Sequence, residues 1–200
     1  PCGSGWRGSG ASPPDMLRIT GGVWKGLALA APRTLRATEA KVRQALFNIL
    51  GEAIEGARVL DGFAGSGALG LEALSRGAAF AAFVEADTEA ALCIRQNLER
   101  LGQDLPRGAW RILHLELERG LRQLSAAERP FDLVCFDPPY RSDEGRKALN
   151  ALGEYAILAP AGIVAIEHHR RTELPASVGR LHQWKQHRYG DTVLSFYRVP

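Results

Sequence analysis

The chain has few of the residues that would cross-link it or carry it through a membrane. Its 200 residues include only three cysteines, Cys2, Cys93 and Cys135, with no Cys-x-x-Cys pair. An odd, scattered set supports neither a disulfide framework nor a zinc site, and it points to a reducing compartment, the cytoplasm. The five histidines lack metal-ligand spacing, so no metal is expected, and His168-His169 reads as a strand end. No apolar run reaches the roughly 18 residues of a membrane span. No basic-then-apolar segment reads as a signal peptide. Gly-Lys-Ser/Thr is missing after the glycine-rich loop, which excludes a nucleoside-triphosphate P-loop. Cys135 sits inside an apolar strand pattern, where it reads as a small core residue and not a nucleophile.

What remains is an ordinary soluble composition, 46% hydrophobic and 24% charged, enough for one domain plus an extension. Residues 1–15 are rich in Gly, Ser and Pro and read as a flexible tail ahead of a start at Met16. The net charge is only +3, but it is unevenly placed. Residues 16–50 carry six basic residues against Glu39 alone, a net +5, and residues 51–200 are slightly acidic. A basic leader on such a body suggests a polyanion-facing appendage. Leu17 to Ala30 alternates around Gly21-Gly22 as a β-hairpin, with Trp24 and Lys25 near its turn. Thr38 is the expected N-cap of the next helix, whose stripe is Val42, Ala45, Leu46, Ile49 and Leu50. Lys41 and Arg43 fall off that stripe and are expected to face a partner. Arg18, Lys25, Arg36, Thr38, Lys41 and Arg43 are therefore the expected nucleic-acid contacts, with Trp24 read either as a stacking contact beside them or equally as a core tryptophan. The extension spans residues 16–52, and a second unit spans 53–200.

From Ala57 strands and helices alternate. Strands are expected at 57–61, 81–85, 110–115, 131–136 and 162–167. Helices are expected at 68–76, 88–101 (capped by Thr88), 118–124 and 146–155. Arg180–Arg188 and Thr192–Val199 form a closing hairpin around Tyr189-Gly190-Asp191. This alternation predicts an α/β doubly wound, mostly parallel seven-stranded sheet with an antiparallel closing strand.

Two segments carry chemistry. Gly65-Ser66-Gly67-Ala68-Leu69-Gly70 follows the first strand, and Glu85 lies 20 residues after Gly65, a spacing also seen in dinucleotide-binding loops. Asp61, at the end of the first strand, favours S-adenosylmethionine over a dinucleotide. A carboxylate there repels a pyrophosphate but accepts hydrogen bonds from an α-amino group. S-adenosylmethionine has that amino group, no phosphate, and a ribose diol for Glu85. The second segment, Asp137-Pro138-Pro139-Tyr140, stops the fourth strand, because neither proline offers an N–H and each holds φ near −65°. It leaves a carboxylate, a carbonyl and an aromatic ring beyond the strand's carboxyl end, where open α/β sheets bind ligands. Two acceptors beside a ring suit a planar substrate bearing an NH₂ group.

Asp-x-x-x-Gly-Ser-Gly, the acid after strand two and Asp-Pro-Pro-Tyr together resemble an S-adenosylmethionine-dependent amino-group methyltransferase of the Rossmann-like class. The strings LRATEAKVRQALFNIL and LDGFAGSGALGLEALSRGA resemble a narrower group, the bacterial 16S ribosomal RNA guanine-N2 methyltransferases of the RsmD type, over about residues 17–198. Family members often have Arg-Pro-Thr where this chain has Arg36-Ala37-Thr38, and Asp or Asn where it has Glu116. The resemblance implies a cytoplasmic monomer acting on 16S ribosomal RNA in a small-subunit particle, with S-adenosylhomocysteine as product. It places the cofactor against Asp61, Ala64, Gly65, Ser66, Gly67, Glu85, Ala86, Glu116, Leu117 and Asp137. Catalysis falls to Asp137, Pro138, Pro139 and Tyr140. Two other classes stay open: a methyltransferase on adenine in DNA or a protein glutamine, and a non-catalytic RNA-binding assembly factor.

Overall fold

The computed structural model describes residues 17–32, 40–103, 105–127, 129–139 and 143–199. Five parallel strands form its centre: β1 (Arg58–Gly62), β2 (Phe80–Glu85), β3 (Trp110–His114), β4 (Phe131–Phe136) and β5 (Leu158–His169). All of the first four are short, and β2 and β4 are almost wholly apolar, as expected of strands covered on both faces, whereas β3 at the sheet edge is only partly buried. Helix α1 (Ala40–Leu50) precedes them, and α2 (Ala68–Ser75), α3 (Thr88–Leu101), α4 (Leu117–Ala127) and α5 (Glu144–Glu154) form the connections. Two long antiparallel strands, β7 (Leu181–Tyr189) and β8 (Thr192–Arg198), close the sheet beside β5. The order is β3-β2-β1-β4-β5-β8-β7-β6, eight strands where seven were expected. The extra one is β6, only Ser177–Val178, too short to leave a periodic signal.

Alternation along the strands sorts the core into two layers. Leu60, Val134 and Phe136 face α4 and α5. Val59, Leu133, Cys135 and Phe196 face α1 and α2, and Ala81 and Phe83 face α2, α3 and the leader. Cys93 and Cys135 are buried free thiols. Among the described residues, no helix is long and apolar enough to cross a membrane.

Several local expectations change. The leader turns back on itself as expected, its Ile19, Gly26 and Leu29 amides donating to the Leu27, Ile19 and Leu17 carbonyls at 3.0, 2.9 and 2.8 Å. Arg18↔Ala28 is an isolated bridge, however, so the hairpin is an irregular strap without two full strands. The cap of α3 is Asp87, whose Oδ1 accepts from the Ala90 amide at 2.8 Å. Thr88 already lies inside the helix and meets His114 Nε2 at 3.3 Å. Arg36 and Thr38 lie outside the described residues.

The largest correction concerns Arg43. The buried face of α1 is Val42, Arg43, Leu46, Phe47 and Leu50, so Arg43 points inward and is not offered to a partner. Its Nε lies 3.4 Å from Glu72 Oε2, both side chains are fully buried, and its Nη2 donates to the Arg18 carbonyl. Glu72 also accepts from the Thr20 amide and hydroxyl at 2.7 Å each and from Arg76 Nε at 2.8 Å. Burial pulls the Arg43 pKa down and the Glu72 charge opposes that shift, so Glu72 holds α1, α2 and the leader together. Trp24 is likewise buried, packed with Leu71 and Leu74, with its amide donating to Ser75 Oγ at 2.9 Å.

Removing one partner of a buried ion pair is costly, because the other charge stays buried. Arg43→Ala should therefore lower unfolding free energy by about 3 kcal/mol in urea titrations. Lys41→Ala, on the exposed face of the same helix, should change it by less than about 0.5 kcal/mol.

Candidate active site

The carboxyl ends of β1, β2 and β4 lie side by side, since Asp61 is in register with both Phe83 and Cys135. Each strand ends in a group with hydrogen-bonding capacity. After β1 the chain turns through Phe63, Ala64, Gly65, Ser66 and Gly67, all but Phe63 buried. Phe63, Gly65 and Gly67 take positive φ values of 61°, 55° and 79°. Glycine adopts that region freely, but Phe63 does so at a cost, a strain that concentrates in ligand-binding turns. Gly70 lets α2 approach the sheet: a Cβ there would lie 2.3 Å from the Phe83 ring.

The turn is held at three points. The Ala64 amide donates to the Val84 carbonyl at 3.1 Å. The Gly65 amide donates to Glu85 Oε2 at 2.6 Å, and Glu85 Oε1 accepts from the Asp87 amide at 2.8 Å. The third point was not foreseen. Asn97 of α3 is buried, and its Nδ2 donates to the Ser66 carbonyl at 3.1 Å and the Ala30 carbonyl at 2.9 Å. Its Oδ1 accepts from the Ala30 amide at 2.8 Å. One side chain thus ties the leader to the glycine turn. Its sequence signal is a polar residue in the apolar stripe Ala90, Cys93, Ile94, Leu98, Leu101.

Asp61 is the decisive group. It is 1% exposed, and its Oδ2 accepts from the Gly70 amide at 2.8 Å. Its Oδ1 is buried with no hydrogen-bond partner among the described residues. Burial drives the Asp61 pKa well above the usual carboxylate range, the Gly70 bond opposes this, and the charges of Asp137 and Glu85 add to it. A buried acceptor without a donor costs free energy, so the site suits a ligand that brings one, a cationic amine above all.

Around it, Asp137 is half-buried, Pro138 buried and Pro139 exposed. Tyr140 lies outside the described residues. Glu85 and Leu117 are half-buried, and Ala86 and Glu116 are exposed beside them. Glu116 sits just before α4, where its carbonyl accepts from the Gly120 amide at 3.0 Å. The structure thus brings Asp61, Ala64, Gly65, Ser66, Gly67, Glu85 and Asp137 to one edge. It does not bring the expected RNA contacts there as a set. Trp24 and Arg43 are core, Arg18 is half-buried and donates to the Gly26 carbonyl at 2.8 Å, and Lys25 and Lys41 are exposed.

A folded-state pKa raised above the unfolded value means stability is fully present below the unfolded pKa and is lost as pH rises through the folded one. The ligand-free protein should therefore lose stability as pH rises past the ordinary carboxylate range. Asp61→Asn should remove most of that slope and raise neutral-pH stability by about 1–3 kcal/mol, as measured by thermal melts at several pH values.

A family model described as "Conserved hypothetical protein 95" matches residues 17–198. The Ribosomal RNA small subunit methyltransferase D of Escherichia coli (strain K12) is 36% identical over 179 residues, covering 88% of this chain and 85% of that protein. The Haemophilus influenzae protein of the same name is 34% identical, covering 76% and 78%. Among solved structures, a hypothetical protein of Thermus thermophilus superposes with TM-score 0.78 at 32% identity, covering 91% of this chain and 99% of that one. A 16S rRNA N2 G1207 methyltransferase of the same species, solved with AdoMet and guanosine, shares the fold at TM-score 0.67 and 22% identity, covering 86% of this chain and 46% of that one. The sheet is that of the Rossmann-like methyltransferases, and with a family match running nearly from end to end, the chain belongs to the Conserved hypothetical protein 95 family, the RsmD type that its motifs resemble.

Proposed function

We propose that this chain transfers a methyl group from S-adenosylmethionine to the exocyclic N2 amine of a guanine in 16S ribosomal RNA. The observation that carries the reading is Asp61 Oδ1, a buried acceptor lacking a donor beside a strained glycine turn, next to the Asp137-Pro138 strand end. The names of the Escherichia coli and Haemophilus influenzae relatives support ribosomal RNA as the substrate. The fold neighbour's named action on a guanine N2 supports the choice of amine.

The residues divide the work as follows. Asp61 Oδ1 is assigned to accept from the cofactor's α-amino group. Glu85 already accepts two backbone amides, and its remaining lone pairs can accept the ribose hydroxyls. Ala64, Gly65, Ser66 and Gly67 form the wall of the turn, and Ala86, Glu116 and Leu117 are assigned to the adenine end. S-adenosylmethionine supplies a methyl group already activated on a sulfonium, so the enzyme has no need to activate the donor.

The acceptor is the difficult partner, because the guanine amine's lone pair is delocalised into the ring. Asp137 and the Pro138 carbonyl can each accept one of its N–H groups, which aims the lone pair at the methyl and favours its localisation. As the N–C bond forms and the S–C pair stays on sulfur, nitrogen becomes positive. The Asp137 carboxylate stabilises that charge and takes the departing proton. Pro139 keeps the segment extended. Tyr140 is assigned to stacking on the base, which offsets part of the cost of extruding it.

The test is methyl transfer from labelled cofactor to total RNA, DNA and protein from a strain lacking the gene, followed by digestion. Label is expected in N2-methylguanosine from 16S ribosomal RNA. Asp137→Ala should lower turnover by about 10²–10³-fold with cofactor affinity changed only a few-fold. Label in DNA adenine or in protein glutamine would overturn the substrate assignment. An absence of transfer to any of the three pools would favour a non-catalytic RNA-binding factor.

A further inference from the structure

The leader supplies less RNA-facing surface than its charge suggests, because Arg43 and Trp24 are core residues. Among the described residues, the exposed tryptophan lies at the other end of the chain. Trp184 is 41% exposed, and the Arg198 guanidinium sits over its ring at 5.0 Å from the centroid. Lys185 Nζ is at 5.7 Å, and the Phe196 ring lies 6.2 Å away. Residues 177–199 hold Arg180, Lys185, Arg188 and Arg198 against Asp191 alone, a net +3 within a body that is slightly acidic overall.

A local irregularity gathers these groups on one face. Gln183 pairs with Tyr197 and Lys185 with Phe196, so the register slips at Trp184. In a regular strand Trp184 and Lys185 would point to opposite faces; a bulge re-aims one side chain. Trp184 and His187 both approach the Phe196 ring. Arg198, two residues from Phe196 along β8, shares its face. Among the described residues, neither Lys185 nor Arg198 takes part in an ion pair.

The location suits a substrate that extends from the catalytic edge. The β7–β8 turn adjoins His169, at the carboxyl end of β5. β7 lies three strands from β4, roughly 14 Å at the usual spacing, and Lys185 is level with Cys135, two residues below Asp137, roughly 7 Å along the strand. Phe196, Ala165 and Cys135 are in register across the sheet, on the face that also carries α1. An apolar plate flanked by cations and set that far from the target position matches a nucleotide a few residues from the methylated base.

We infer that Trp184, with Lys185 and Arg198, is a second RNA-binding platform on which an unpaired base stacks while the two cations meet its flanking phosphates. Single-strand recognition commonly combines aromatic or guanidinium stacking with backbone-tracking charge. The inference rests on the proposed RNA substrate and adds where that RNA runs: from the ends of β4 and β5 down the outer strands.

The test is filter binding of a 16S ribosomal RNA transcript in rising salt, with S-adenosylhomocysteine titration and melting temperature measured for every protein. Trp184→Ala should weaken RNA binding about tenfold, and Trp184→Phe, which keeps a stacking ring, by no more than about threefold. Lys185→Gln/Arg198→Gln should lower the salt slope by about 0.7 per contact. Affinity for S-adenosylhomocysteine should stay at the parent value throughout. Parent-like RNA affinity in Trp184→Ala would overturn the platform while leaving the methyltransferase reading intact. So would equal losses in the Ala and Phe variants that track a fallen melting temperature, or a concentration-dependent dimer that Trp184→Ala dissolves. A parent protein that neither binds nor methylates RNA would overturn both.

Discussion

The hydrogen bond from the Gly70 amide to Asp61 Oδ2 sets the geometry on which the site depends. It anchors the first turn of α2 to the end of β1 and fixes the carboxylate between two layers of core. The close approach requires Gly70, because any Cβ there would run into Phe83. The same bond leaves Oδ1 buried and without a partner among the described residues. Stability and the proposed cofactor contact therefore pull in opposite directions at Asp61. Burial makes its charge unfavourable, a penalty that the proposed cationic amine would reverse.

Around this point the molecule is tied together by polar groups in otherwise apolar layers. Glu72 gathers Thr20, Arg43 and Arg76, and Asn97 gathers Ala30 and Ser66. Both connect the strap of residues 17–32 to the helices that flank the glycine turn. Buried polar groups hydrogen-bonded to several elements at once, as Glu72 and Asn97 are, specify one arrangement over alternatives. The leader is thus built into the wall behind the glycine turn, and among its described residues Lys25 and Lys41 are exposed cations on that wall.

Most of the central fold was legible, because strand and helix periods differ and glycine punctuates the first connection. The Asp61, Gly65, Glu85 and Asp137 cluster was legible for a topological reason: alternating elements bring the carboxyl ends of parallel strands together. The failures share a different cause. Arg43 read as a free cation because its partner Glu72 is 29 residues away, and local spacing cannot reveal a tertiary contact. Trp24 near a turn and Trp184 in a strand are equivalent in sequence; only packing distinguishes the buried one from the half-exposed one. The bulge at Trp184 leaves the alternation of β7 ambiguous, and two-residue β6 carries no period at all. Asp87 displaced Thr88 as the α3 cap because its carboxylate reaches the Ala90 amide, a choice that adjacent capping residues leave open.

The role of Asp61 can be isolated by chemistry on the ligand as well as on the protein. Calorimetric titrations of S-adenosylhomocysteine and its counterpart lacking the α-amino group, against the parent and Asp61→Asn, form a closed cycle. A charged hydrogen bond of this kind contributes about 1.5–3 kcal/mol, so the parent should prefer the amino-bearing ligand by at least about tenfold. Asp61→Asn should bind the two alike. An undiminished preference in the folded Asp61→Asn protein would mean that the amino group is held elsewhere, and would contradict the placement of the cofactor on the β1 turn.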